Sequence, residues 1–232
     1  MPMRLDDPNL QNLRAIAEAL GVLRDRVVFV GGATAGLLVT DPAAERVRAT
    51  KDIDAIVEAE FAQFRRIEEE VAALGFVHDM ASGVICRWIH HASGIQFDLM
   101  PVDPKVLGFT NRWYRYAIDT AQTIELKNGL VIRMATALAF VATKLDAFAN
   151  RGNGDIVASH DIEDVLNIVD GREELAGELK ASPPEVRNEV RAAFTELLQH
   201  REFANALPGL IADADRTGVV MQRLRAMANG SS

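Results

Sequence analysis

Apolar positions recur along this chain with two different periods, and the change from one to the other divides it. Up to about residue 134, short apolar runs of strand length are interleaved with helical stretches. Beyond it, apolar residues return every three or four positions to the end, the spacing of helices that bury one face. Leu10, Leu13, Ile16, Ala17 and Leu20 predict a first helix, with Asp7-Pro8 as N-cap acid and first-turn proline and Gly21 as its stop. Residues 27–30 read as a buried strand running into Gly31-Gly32, and a small-residue helix follows from Ala33 to about Val39. Residues 41–49 read as a loop, 51–58 as a strand, and 61–74 as a helix ended by Gly75. Residues 84–90 and 95–101 form an expected hairpin around Ala92-Ser93-Gly94. A second hairpin joins 123–126 to 130–133 through Lys127-Asn128-Gly129, Asn-Gly being a strong hairpin signal. Helices are then expected at about 135–149, 158–170, 172–181, 184–199 and 208–228, punctuated by Pro183-Pro184 and Pro208.

The expected fold class is therefore α+β: residues 1–134 carry a mixed β-sheet with helices, and residues 135–232 form an all-helical C-terminal half. A cleft between two such halves is the default place for a ligand. Composition narrows the picture further. The 232 residues are 49% hydrophobic and 25% charged, the balance of a globular protein with a sizeable core. One cysteine, Cys86, excludes an internal disulfide and a Cys-rich zinc site, and fits a reducing compartment. The N-terminal residues carry acids early and no apolar run, unlike a signal peptide, and no window approaches the roughly 18 apolar residues of a membrane span. A cytoplasmic protein with no membrane partner is expected. The net charge of −8 is unlike that of a dedicated duplex-binding protein, so any nucleic-acid contact must come from a local patch.

The chemistry concentrates in Thr50-Lys51-Asp52-Ile53-Asp54-Ala55-Ile56-Val57. Residues two apart on a strand share a face, so Asp52 and Asp54 point one way while Ile53, Ala55 and Val57 point into the core. Two acids on one face repel unless a cation lies between them. Hard cations such as Mg²⁺ take oxygen ligands, and phosphoryl chemistry needs that charge. Asp98 stands alone in the apolar run Ile95-Gln96-Phe97-Asp98-Leu99-Met100. If the two strands are neighbours, three carboxylates converge, and such a cluster could hold two metals for in-line displacement at phosphorus. Taken alone, an Asp-x-Asp pair is more often a solvated strand end. Gly31 and Gly32 let backbone N–H groups approach a phosphate at a helix N-terminus, though an ordinary tight turn would use the same residues.

Together these residues resemble the nucleotidyltransferase superfamily with the polymerase-β-like core, and within it the AbiEii-type toxin family. The resemblance rests on Gly31-Gly32-Ala33-Thr34-Ala35, on Arg48-Ala49-Thr50-Lys51-Asp52-Ile53-Asp54, on Asp98, on Lys144-Leu145-Asp146-Ala147 with Arg151, and on His160-Asp161-Ile162-Glu163-Asp164. It spans roughly residues 27–170. It implies that Asp52 and Asp54 bind Mg²⁺ or Mn²⁺, and that Asp98 binds the catalytic metal and orients or deprotonates the attacking hydroxyl. Gly31, Gly32 and Thr34 would cradle the phosphates of an NTP, with Arg48 and Thr50 supporting the carboxylate strand. Lys144 and Arg151, stacked on one helical face, would meet the triphosphate; Asp161 and Asp164 also share a face, which either orients Lys144 or Arg151 or is a solvated helix surface. The family pattern departs at Gly32, where many members have serine, and at His160, where a basic residue is usual.

The function implied is transfer of a nucleoside monophosphate from an NTP to an acceptor, either RNA such as tRNA or a protein. A toxin-like role would bring a cognate antitoxin as partner. Two other readings stay open: a small-molecule, antibiotic-type nucleotidyltransferase, and a nucleotide-binding interaction module without turnover. Elsewhere, the stretch Asn111-Arg112-Trp113-Tyr114-Arg115-Tyr116 interleaves arginines with aromatics and could stack bases, but a loop packed over the sheet explains it more simply. Cys86, His90 and His91 do not share one strand face, which argues against zinc.

Overall fold

The computed structural model describes residues 7–151 and 154–230. Their contacts divide into two compact units. The described residues within Pro2–Thr34 and Arg48–Thr136 form one, and those within Ala35–Val47 and Ala137–Ser232 the other. No described helix is long and apolar enough to cross a membrane.

The first unit is built on a seven-stranded mixed sheet, so the α+β expectation holds. Its strands are β1 (Val28–Val30), β2 (Asp52–Val57), β3 (Phe76–His78), β4 (Arg87–His90), β5 (Gln96–Pro101), β6 (Gln122–Glu125) and β7 (Val131–Met134), in the order β3-β4-β5-β2-β1-β7-β6. Apolar residues dominate the central strands, and Phe29, Ile53 and Phe97 are fully buried. β2 lies antiparallel to β1 and parallel to β5. Helix α1 (Leu10–Ala19) starts at Leu10 rather than at Pro8, because Asn9 holds the N-cap position and Asp7 accepts the Asn9 N–H at 2.8 Å. Helix α3 (Phe61–Ala73) buries Phe64, Ile67 and Val71. The second hairpin turns through a 3₁₀ turn, Lys127–Gly129, with Asn128 and Gly129 both left-handed, the conformation that an Asn-Gly pair tolerates. The short edge strand β3 was not expected. Its apolar run is only Phe76-Val77, between Gly75 and His78, too short to be read as a buried strand.

The second unit is helical: α2 (Ala35–Leu38), α6 (Ala137–Arg151), α7 (His160–Gly171), α8 (Leu175–Ala181), α9 (Pro184–Gln199), α10 (Phe203–Leu210) and α11 (Thr217–Asn229). The helix expected over 208–228 is two helices, and Pro208 lies inside the first of them. Asp213 accepts the Asp215 N–H at 2.9 Å and turns the chain between them. Residues 35–47 join this unit through specific bonds. Thr40 and Asp41 donate to the Gly171 carbonyl at 2.8 and 2.9 Å, and Arg216 pairs with Asp41 and Asp170 at 2.7 and 2.6 Å. Gly171 permits the approach, since a Cβ there would stand 2.8 Å from both Val39 methyl groups.

Candidate metal and nucleotide site

The register across four strands lines up the site. Val30 of β1 faces Asp54 of β2, Asp54 faces Asp98 of β5, and Asp98 faces Arg87 of β4. Residues directly opposite project to the same side of a sheet, and Asp52 shares that side with Asp54. The strand pairing on which the third carboxylate depended is therefore present. Asp52, Asp54 and Asp98 each offer an oxygen within 4.8 Å of the others. Asp98 is buried, and Asp52 and Asp54 are half-buried.

Local interactions fix these side chains. The Thr50 hydroxyl donates to Asp52 at 2.7 Å, which gives Thr50 a supporting position. Asn9, nearly fully buried, donates to the Arg48 carbonyl at 3.0 Å and accepts the Thr50 N–H at 2.8 Å. The strand that carries the carboxylates is thus tied to the start of α1. Sequence reasoning missed Asn9, because its cap position beside Asp7-Pro8 gave no sign of a long-range role.

Gly31 has φ +72°, and a Cβ there would collide with the Asp54 carboxylate and lie 2.8 Å from its Cγ. Only glycine satisfies both the left-handed backbone and the close approach. Gly32 and Thr34 are buried. The Thr34 hydroxyl donates to the Gly31 carbonyl at 2.9 Å, so it closes the turn and does not face solvent as the phosphate-contacting role requires. The expected helix over 33–39 is a 3₁₀ turn, Gly32–Thr34, followed by the four-residue α2. That is too short for a strong dipole, so anion binding at this turn would rest on its backbone N–H groups.

Arg87 is the residue the sequence reading did not single out. Its Nε donates to Asp98 Oδ1 at 2.8 Å and its Nη2 to Asp98 Oδ2 at 2.7 Å, a two-pronged pair. The same Nη2 reaches Asp52 Oδ2 at 3.0 Å. The signal was there: Arg87 and Asp98 fall opposite each other when the hairpin turn is centred between Ala92 and Ser93.

The cluster's donor chemistry suits a hard divalent cation, because three carboxylates offer only oxygen. The neighbouring Cys86 does not alter this. Burial, reinforced by Asp98 and Asp54, pushes its thiol up to about 12, so it stays protonated.

The remaining candidates lie in the helical unit. Lys144 pairs with Asp161 at 3.0 Å and with Asp164 at 2.7 Å, with Asp164 almost wholly buried. Burial pulls the Lys144 pKa down, but the two carboxylates outweigh it and hold the ammonium above its ordinary value. Asp161 and Asp164 thus both hold the Lys144 ammonium. The Arg151 side chain lies outside the described residues. His160 is exposed and contacts Glu163 at 3.1 Å. In the 111–116 stretch, Trp113 is buried under Arg112 and leads into helix α5 (Tyr114–Asp119), so its ring is not available for base stacking.

No family model matches the sequence, and no curated protein matches it significantly. Solved structures do resemble it. An antigenic nucleotidyltransferase-like protein from Paracoccidioides brasiliensis superposes with a TM-score of 0.54 at 16% identity, over 93% of both chains. A structure from Helicobacter pylori gives 0.46 at 12% identity over 96% of both chains. JHP933 from the same organism gives 0.44 at 14%, over 96% of this chain and 92% of that one. At these identities the first likeness establishes the fold alone: the chain has a nucleotidyltransferase-like fold.

Proposed function

We propose that the chain is a metal-dependent nucleotidyltransferase that moves a nucleoside monophosphate from an NTP to an acceptor, with Asp52, Asp54 and Asp98 as its metal ligands. The observation that carries this reading is the convergence of the three carboxylates on one sheet face, next to a Gly31 backbone that Asp54 packs against. Mg²⁺ or Mn²⁺ bound there would neutralise phosphate charge during in-line transfer. Asp52 and Asp54 would hold it from one strand, and Asp98 would also orient the acceptor hydroxyl. Gly31 and Gly32 would offer backbone N–H groups to the phosphates. We place the acceptor among RNAs such as tRNA, or proteins. A toxin-like role with a cognate antitoxin rests on the sequence resemblance to AbiEii-type toxins.

One observation favours a second reading, a nucleotide-binding module without turnover: Arg87 already pairs with both Asp98 and Asp52. Incubation with each α-labelled NTP, Mg²⁺, and total RNA or lysate separates the two. Label in RNA or protein, lost in Asp52→Ala and Asp54→Ala, supports the transferase. Label on a small acceptor redirects the assignment to a small-molecule enzyme. Nucleotide binding without transfer of any NTP supports the module, and transfer that persists in either aspartate variant sinks the metal assignment.

A further inference from the structure

Arg87 lies where a divalent cation would compete with it. Its guanidinium stands 2.7 and 3.0 Å from oxygens of two of the three proposed metal ligands. The pairing is built into the fold. Arg87 faces Asp98 in the β4–β5 register, so the contact does not depend on a long side chain wandering into the site. Both partners are shielded, with side-chain exposures of 16% for Arg87 and 9% for Asp98, and charge–charge interactions there are stronger than in open water. A two-pronged arginine–carboxylate pair is also directional, and it holds both Asp98 oxygens in one plane.

We propose that Arg87 is the resident counter-cation of the carboxylate cluster, a positioning residue that holds Asp98 and Asp52 in place and that a divalent metal must displace or repel to bind. This inference rests on the metal-site reading above. Loss of the guanidinium would remove the positive charge that faces Asp98 and Asp52, and the more negative site would draw a metal more strongly. Arginine keeps its charge at any accessible pH, so this competition does not fade as pH rises.

The test measures binding of Mn²⁺ alone, by loss of the free-ion electron paramagnetic resonance signal, to wild type, Arg87→Gln and Arg87→Lys, each with and without Asp54→Asn. Only the binding that Asp54→Asn removes is counted, which sets aside the ions that an acidic surface collects. Arg87→Gln is expected to bind Mn²⁺ at least roughly tenfold tighter than wild type, with Arg87→Lys between them, because lysine keeps the charge and loses the fork. Tighter metal binding is an effect that a merely structural role of Arg87 would not produce. If Arg87→Gln fails to fold, as judged by circular dichroism and urea unfolding, Arg87→Lys carries the same comparison. Equal affinity in wild type and the Arg87 variants, still abolished by Asp54→Asn, overturns the counter-cation and leaves the metal site standing. Weaker binding in a folded Arg87 variant also overturns it. No Asp54-dependent binding in any variant overturns the metal-site reading and the inference with it.

Discussion

Gly31→Ala tests how the site is held together, because two separate costs meet at one position. The backbone at Gly31 is left-handed, φ +72°, where an L-residue is disfavoured by about 1–2 kcal/mol. The new Cβ would also collide with the Asp54 carboxylate, and relieving such overpacking typically costs about 1–3 kcal/mol. Roughly 3 kcal/mol of lost stability is expected in total, which for a chain of this length lowers the melting temperature by roughly 6–12 °C. The second cost belongs to Asp54 and can be isolated. In an Asp54→Ala background the Cγ and oxygen contacts vanish, while the Cβ at 3.0 Å remains. Urea unfolding of wild type, both single variants and the double variant should therefore give a favourable coupling of about 1–2 kcal/mol. If Gly31→Ala costs the same with and without the Asp54 side chain, the packing of Asp54 against the glycine turn is not what requires glycine, and the reasoning fails.

Other perturbations follow from the same contacts. Asn9→Ala removes the amide that bridges Arg48 and Thr50, and should cost about 1–3 kcal/mol in chemical unfolding although Asn9 is remote in sequence from the carboxylates; an unchanged midpoint would show that the bridge contributes nothing. Lys144→Met removes the ammonium that pairs with both Asp161 and the buried Asp164, and should cost about 3–5 kcal/mol. The folded-state pKa of Lys144 is raised, so its contribution is fully present below the ordinary lysine value of 10.5 and fades as pH rises through the higher folded value. The stability difference between wild type and Lys144→Met, followed by unfolding from pH 8 to 11, should therefore shrink only at the alkaline end. A difference that shrinks already near neutral pH would contradict the pairing.

How much of this could be read from the sequence depends on whether the signal was local. The strand Asp52–Val57, its two acids on one face, and the helix Pro184–Gln199 were legible, because alternation and helical period are properties of neighbouring residues. Asp98 was legible as an isolated acid in an apolar run, but its place beside Asp54 needed a strand pairing that periodicity does not supply. Arg87 was hidden for the same reason: its significance lies in the residue across from it. Residues 35–47 read as a helix and a loop of the first half, yet they dock on the end of α7 through Gly171, Arg216 and Asp170, contacts far apart in sequence. Thr34 shows the opposite error, since a hydroxyl near glycines suggested a phosphate contact while burial commits it to the turn. Residues 203–210 form a helix despite Pro208, because the punctuation that proline supplies near a helix end is weaker than the burial of Phe203, Leu207 and Leu210.

A single divalent-metal site made by Asp52, Asp54 and Asp98, working with a nucleotide, is the proposal to test. The most direct experiment is a crystal structure with Mn²⁺ and a non-hydrolysable NTP, with the metal located by anomalous scattering. The expected result is a manganese peak ligated by oxygens of all three aspartates, phosphate oxygens on the same ion, and the Arg87 guanidinium moved off the Asp52–Asp98 bridge. A nucleotide bound with manganese elsewhere, or with Arg87 still bridging Asp52 and Asp98 and no metal between the carboxylates, would contradict it.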